Sequence, residues 1–188
     1  MGYLKGGAFL IQETEAKDIF IRSEFGEDQK MMLSATEDFN EREILPVLMR
    51  FEEKDYALVE SLMRKAGELG LLGINVPEKY EGLGMGFNTG MLICEEISSL
   101  TGSIATAFGA HTGIGTLPIL LYGSEEQKLH YLPKIASGEW MSCYNLTEPD
   151  AGSDANSGKT KAVLTEDGEH YEITGQKIWI SNAGFAHV

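Results

Sequence analysis

Cysteine is scarce in this chain: Cys94 and Cys143 are the only two. Neither belongs to a C-x-x-C spacing or has a histidine beside it, so no disulfide framework or zinc site is written here. Both read as buried, reduced thiols in a cytosol-like compartment. The four histidines, His111, His130, His170 and His187, are scattered, and no metal site is expected. Basic residues are short as well: 15 Lys and Arg stand against 29 Asp and Glu, for a formal net charge of −14. Nucleic-acid binding and attachment to anionic lipid both rest on Lys and Arg, so this balance argues against each. An uninterrupted apolar run is missing from the start, where Lys5, Glu13, Glu15, Lys17, Asp18 and Arg22 break up Met1 to Gly26. No signal peptide or membrane span fits, and few Arg with several acids is unlike a mitochondrial transit peptide. Internal repeats, low-complexity tracts and linkers are absent too.

What is present is an ordinary globular composition, 43% hydrophobic and 23% charged, over 188 residues. That length suits one domain, or one domain and part of another. Residues 1–26 read as an N-terminal arm lying along its own domain or a partner subunit. From Glu27 to Asp55 helix formers dominate, with Met31, Met32, Ala35 and Phe39 on one face and Pro46 as the kink. Tyr56 to Leu69 predicts a second helix with Leu58, Leu62 and Leu69 inward, closed by Gly70. Asn88 to Leu100 predicts a third, with Met91, Ile93, Ile97 and Leu100 apolar and Glu95-Glu96 toward water. Ala105 to Leu121 is small and apolar nearly all round, as in a helix surrounded by protein, and before Pro118 it is too short to span a bilayer. Ser124-Glu125-Glu126-Gln127 fits a capping box opening a helix to Ala136, with Gly138 beyond it. The glycines Gly82, Gly84, Gly86, Gly113 and Gly115 lack the G-x-G-x-x-G spacing and the βαβ setting of a dinucleotide loop. His111 is either a satisfied packing histidine or a ligand contact.

From Glu139 the pattern turns to strands: Trp140–Thr147, Thr160–Leu164, a turn at Glu166-Asp167-Gly168, Tyr171–Ile173, and Lys177–Ser181. The first places Tyr144 and Leu146 on one face and Asn145 and Thr147 on the other. Pro149 stops the ladder, and Ala151-Gly152-Ser153 supplies small residues where a ligand can approach the backbone. In the last strand, Lys177, Trp179 and Ser181 share a face away from Ile178 and Ile180. An indole beside a hydroxyl suits the wall of a flat heteroaromatic ring, although alone it equally suits an ordinary half-exposed sheet. Glu148, Asp150 and Asp154 do not follow a calcium-loop spacing and read as a solvated acidic turn.

Thr147-Glu148-Pro149-Asp150-Ala151-Gly152-Ser153-Asp154 and Gly175-Gln176-Lys177-Ile178-Trp179-Ile180-Ser181-Asn182 together resemble the acyl-CoA dehydrogenases. The middle β-domain of that family carries T-E-P-x-A-G-S-D and then G-x-K-x-W-I-[ST]-N. Val76 to Gly84 resembles the family's P-x-x-Y-G-G-x-G connection, with Glu81 in place of the commoner Gly. Phe108 to Gly115 resembles the acyl-pocket helix of the very-long-chain branch, and the leader is similar to that branch more loosely. The resemblance covers nearly all of residues 27–188 and about the first half of such an enzyme.

The resemblance implies an α+β chain: an all-α domain at 27–138, then the beginning of a β-barrel-like middle domain at 139–188. The C-terminal helical bundle, which in the family carries the catalytic glutamate and much of the flavin nucleotide site, is absent from this sequence. The chain is therefore expected to be a fragment, inactive by itself, and no catalytic base is assigned in it. Implied contacts to FAD are Tyr144, Leu146, Thr147, Gly152, Ser153, Trp179 and Ser181, with Ser153 also near the CoA arm of the substrate. In the family a carboxylate removes the α-proton of a fatty acyl-CoA while hydride leaves the β-carbon for flavin N5, giving a trans-2-enoyl-CoA, a step of fatty acid β-oxidation. Electron-transferring flavoprotein is the implied acceptor, a homo-oligomer (dimer or tetramer) the implied full-length state, and the cytoplasm, or the mitochondrial matrix in a eukaryote, the implied place. Two other readings are a non-catalytic helical interaction module, and a sister flavoenzyme such as an acyl-CoA oxidase or nitroalkane oxidase. Flavin binding separates the module from the enzymes, and use of oxygen separates the enzymes from one another.

Overall fold

The computed structural model describes Leu4 and residues 6–188; the remainder of the arm, residues 1–3 and 5, lies outside the described residues. The arm runs as short 3-10 turns toward the first helix. Phe20 meets Phe25 edge-on at 4.9 Å, and Arg22 reaches Glu95 at 3.0 Å, so its last part lies on its own helical domain.

Seven α-helices follow among the described residues: α1 Glu27–Phe39, α2 Leu48–Glu52, α3 Tyr56–Glu68, α4 Phe87–Ile97, α5 Gly102–Gly109, α6 Leu117–Tyr122 and α7 Glu125–Ala136. Their ends show why they start and stop. Asp55 accepts the Leu58 N–H at 3.0 Å and caps α3, and Gly70 takes the left-handed backbone (φ 78) after it. Ser124 and Gln127 form the expected reciprocal capping box on α7. Between α1 and α2 the chain passes through a π-turn at Asn40–Ile44 and a 3-10 turn carrying Pro46, the predicted kink.

One apolar cluster joins Phe39, Ile44, Leu62, Met63, Leu71, Leu72, Ile93, Ile97, Ile104 and Phe108. Fully burying a large aliphatic or aromatic side chain contributes about 1.5–3 kcal/mol, so this cluster dominates the domain's stability. Three residues read as inward from the sequence are in fact exposed: Met31, Leu69 and Met91. The buried face of α1 is turned to Thr36 and Phe39, and that of α4 to Leu92, Ile93 and Ile97. Backbone also packs closely here. A Cβ at Gly67 would lie 2.2 Å from the Ser137 carbonyl oxygen, so only glycine lets α3 meet the end of α7.

Gly102–Tyr122 is one rod of 21 residues, and by length and composition it is long and apolar enough to cross a membrane. The expectation that Pro118 cuts it short is corrected. Pro118 enters in the first turn of α6, where a missing N–H breaks no helical bond. The rod buries Ile104, Ala107, Phe108, His111 and Thr116 within the domain. Its middle widens into a π-turn at Ala110–Gly115.

Beyond Gly138 regular structure is sparse. β1 Lys161–Leu164 and β2 Tyr171–Thr174 pair antiparallel, Lys161 opposite Thr174 and Leu164 opposite Tyr171. The hairpin turns at Gly168, φ 74, where the Glu166-Asp167-Gly168 signal placed it. The strands expected at Trp140–Thr147 and Lys177–Ser181 do not form. Residues 141–143 instead bond to 187–188, with Cys143 N donating to Val188 O at 2.9 Å and His187 N to Met141 O at 2.7 Å. Lys177–Ser181 is irregular, bending at Trp179 and leading into a turn from Ser181. Trp179 and Asn182 both take left-handed backbone, φ 55 and 69, which a strand cannot contain.

Candidate functional site

His111 is the link from the helical rod to the second region. It is fully buried, with Nε2 3.0 Å from Ile135 O and Nδ1 accepting the Ser142 N–H at 3.1 Å. These partners require the neutral ring with its proton on Nε2. Burial pushes its pKa down to about 4. His111 is thus a satisfied packing histidine and offers nothing to a ligand. Asn182, also buried, donates to Ala107 O at 2.9 Å and Ser142 O at 3.3 Å, pinning the far end of the 177–182 turn to α5.

The near end is pinned by Glu148. The reading of a solvated acidic turn is corrected for this residue, which is 5% exposed, whereas Asp150 and Asp154 are exposed. Its carboxylate accepts from Lys177 Nζ at 2.8 Å, Lys159 N at 2.5 Å and Thr160 N at 3.1 Å. The Lys177 ammonium and these donors favour the charged form and hold its pKa at about 2. Lys177 also donates to Leu146 O at 2.9 Å, and Ile178 N donates to Thr147 O at 3.0 Å. Glu148 and Ala151 exchange backbone bonds across Pro149-Asp150, closing a tight turn that presents Gly152 and Ser153.

The result brings Thr147 together with the Lys177–Trp179 segment. Trp179 is 86% exposed, and Tyr144, Leu146 and Ser181 are exposed as well. Among the described residues the hydroxyls of Thr147 and Ser181 have no hydrogen-bond partner, and no hydrogen bond joins Gly152 or Ser153 to the 177–182 turn. A Cβ at Gly152 would meet open space, so a ligand can reach that backbone. An exposed indole, two uncommitted hydroxyls and an open glycine fit a flat, polar-edged ring. Lys177 and Asn182, which build the turn, were missed as site residues because their partners are distant in sequence. The signal that could have marked Glu148 was its place directly before Pro149, in a segment with few other anchors.

A separate cavity of about 240 Å³ lies in the helical domain, walled by Leu72, Phe87, Met91, Phe108, Thr112 and Thr116 among others. None of its walls comes from residues 140–188, and the rod contributes Phe108, Gly109, Thr112, Gly113 and Thr116 to it. Gly109 and Gly113 border it with open space where side chains would stand. Cys94 lines it and is half-buried. Asp167, Glu169 and His170 approach one another on the hairpin turn, all exposed, as common surface acids do.

The sequence profile described as "Acyl-CoA dehydrogenase, N-terminal domain" matches residues 26–139, and that described as "Acyl-CoA dehydrogenase, middle domain" matches 143–188. A probable acyl-CoA dehydrogenase of Bacillus subtilis (strain 168) is 48% identical over 184 residues, 98% of this chain and 31% of its own length. A crystal structure of an acyl-CoA dehydrogenase complexed with FAD from Bacillus anthracis superposes with TM-score 0.91 at 46% identity, over 97% of this chain and 31% of that one. A structure described as the electron transferring flavoprotein of Acidaminococcus fermentans gives TM-score 0.78 at 35% identity, over 88% of this chain and 43% of that one. The chain thus spans 31% of the length of the Bacillus subtilis relative it matches.

Proposed function

Because the chain belongs to the acyl-CoA dehydrogenase family, we propose that it supplies the flavin-facing wall and the N-terminal helical domain of an enzyme oxidising the α,β C–C bond of a fatty acyl-CoA to the trans-2-enoyl-CoA. FAD, when bound, would supply the acceptor for the hydride that leaves the β-carbon and carries the electron pair, the α-proton going to a base. Trp179 covers one part of the ring and keeps water from it. Thr147 and Ser181 donate hydrogen bonds to ring nitrogens or carbonyls, which steadies negative charge gathering there. Tyr144 and Leu146 complete the apolar contact, and Gly152 and Ser153 meet the flavin or the CoA arm. Glu148 is not the base: its carboxylate is buried, committed to three donors and far too acidic for proton abstraction near neutral pH. The aliphatic tail of the acyl group is accommodated at the cavity beside Gly109 and Gly113. An electron-transferring flavoprotein would be the partner that takes the electrons onward.

The observation that carries this reading is the exposed Trp179 held in a left-handed turn beside the free hydroxyls of Thr147 and Ser181. The test is made on the full-length protein, with FAD content, flavin potential and the rate of flavin bleaching measured over a ladder of saturated acyl-CoAs. Thr147→Ala is expected to slow bleaching by up to roughly a hundredfold, the scale of losing one preorganised donor. Unchanged potential and rate in that variant, or a wild-type protein that takes up no FAD, would remove the basis for the proposal. Reoxidation by oxygen rather than by the flavoprotein would instead move the assignment to a sister oxidase.

A further inference from the structure

We propose that the Lys177–Glu148 ion pair is a positioning device: it locks the Thr147 loop to the Trp179 turn so that hydroxyl and indole address one flavin ring. This rests on the flavin reading of the site given above. The two segments have little else to hold them. From residues 140–188 only Met141 and the half-buried Phe185 join the main apolar cluster, and the β1–β2 hairpin is exposed on both faces. Glu148 is the only buried carboxylate among the described residues.

The stitching is continuous across the two segments. Lys177 Nζ binds Leu146 O and the Glu148 carboxylate, and the next residue, Ile178, gives its N–H to Thr147 O. Trp179 follows immediately, and three residues later Asn182 ties the turn to α5 and Ser142. Trp179 therefore sits between two fixed points. Its left-handed backbone is sparsely populated for a bulky residue and persists only where its surroundings over-determine it. An ion pair with its carboxylate buried and its lysine half-buried contributes little net stability, because desolvation offsets much of the attraction. What it supplies here is geometry, as the groups behind a binding residue do when they lock its orientation.

The experiment uses the full-length protein carrying Lys177→Met, Glu148→Gln, both together, or Lys177→Arg. Amide hydrogen exchange at Ile178 and Thr160 reads the clamp without flavin, and a fluorescence titration reads FAD affinity. Lys177→Met is expected to lose protection at Ile178 and to weaken FAD binding roughly tenfold, the scale seen when an outer-shell partner is removed at metal sites. Helical ellipticity and its melting stay as in wild type, Lys177→Arg recovers most of both readouts, and the double variant is no worse than the worse single one. Retained protection and affinity in Lys177→Met would overturn the proposal. So would losses in the double variant equal to the sum of the singles, or collapse of the helical domain along with the loops. If the wild-type protein takes up no FAD, the functional reading fails, and exchange at Ile178 alone decides whether the clamp exists.

Discussion

The helical domain and the region beyond Gly138 are held together by different forces. In the first, Met63, Ile93, Leu132 and Ile135 are wholly buried, and apolar area removed from water carries the fold. In the second, Tyr144, Leu146, Val163, Tyr171, Ile173 and Trp179 leave their apolar surface exposed, and Glu148, Lys177, Asn182 and Ser142 provide the fixed points. On the proposed flavin reading, a surface that grips a flat ring cannot spend its aromatic groups on its own core. Directional bonds to backbone then set its shape.

The sharpest way to break this comparison is to truncate one aliphatic side chain in each region. Ile135→Ala, at a site with no exposure, is expected to cost about 2–5 kcal/mol in denaturant unfolding. Ile173→Ala, 72% exposed, should stay within about 0.5 kcal/mol. Equal costs would mean that both regions fold on one apolar core.

The joint between the regions gives the next effect. His111 titrates near 6.5 when unfolded and at about 4 when folded, so below 6.5 the unfolded chain binds a proton that the native one refuses. Stability contributed by the neutral ring is complete above 6.5 and falls as pH drops toward 4, by about 3 kcal/mol in all. Denaturant midpoints across that window in wild type and His111→Gln check it. The same slope in both proteins would assign the loss to other groups.

The smallest expected effect on stability is at the site itself. Trp179→Phe removes an exposed indole and should change the unfolding free energy by no more than about 0.5 kcal/mol, while flavin retention falls. A large loss of stability with flavin content unchanged would make Trp179 a packing residue and reverse the comparison.

Much of the helical domain was legible because its signals are local. Gly70, Pro46 and the Ser124–Gln127 box act on backbone within a few residues of themselves, and the structure uses each as written. Faces were less legible: α4 repeats apolar residues at Met91, Leu92 and Ile93, and only packing against its neighbours chose the last two. In the second region, alternation at Lys177–Ser181 imitated a strand. The period of two was real, yet a single backbone bond, Ile178 N to Thr147 O, joins this stretch to a neighbouring segment, too little for a ladder, and the backbone turned left-handed at Trp179 instead.

By itself the sequence determined the helices, their caps, the turn at Gly168 and the two motifs that mark the family, since each depends on residues adjacent in the chain. Tertiary structure alone decided that Glu148 is buried, that His111 is neutral and satisfied, and that Trp179 stands out from a pinned turn. Those outcomes hang on partners 29, 31 and 75 residues apart: Lys177 with Glu148, His111 with Ser142, and Asn182 with Ala107. No local preference encodes such distances. A buried polar group must find its hydrogen bonds wherever the folded chain supplies them, and that constraint exists only once the chain has folded.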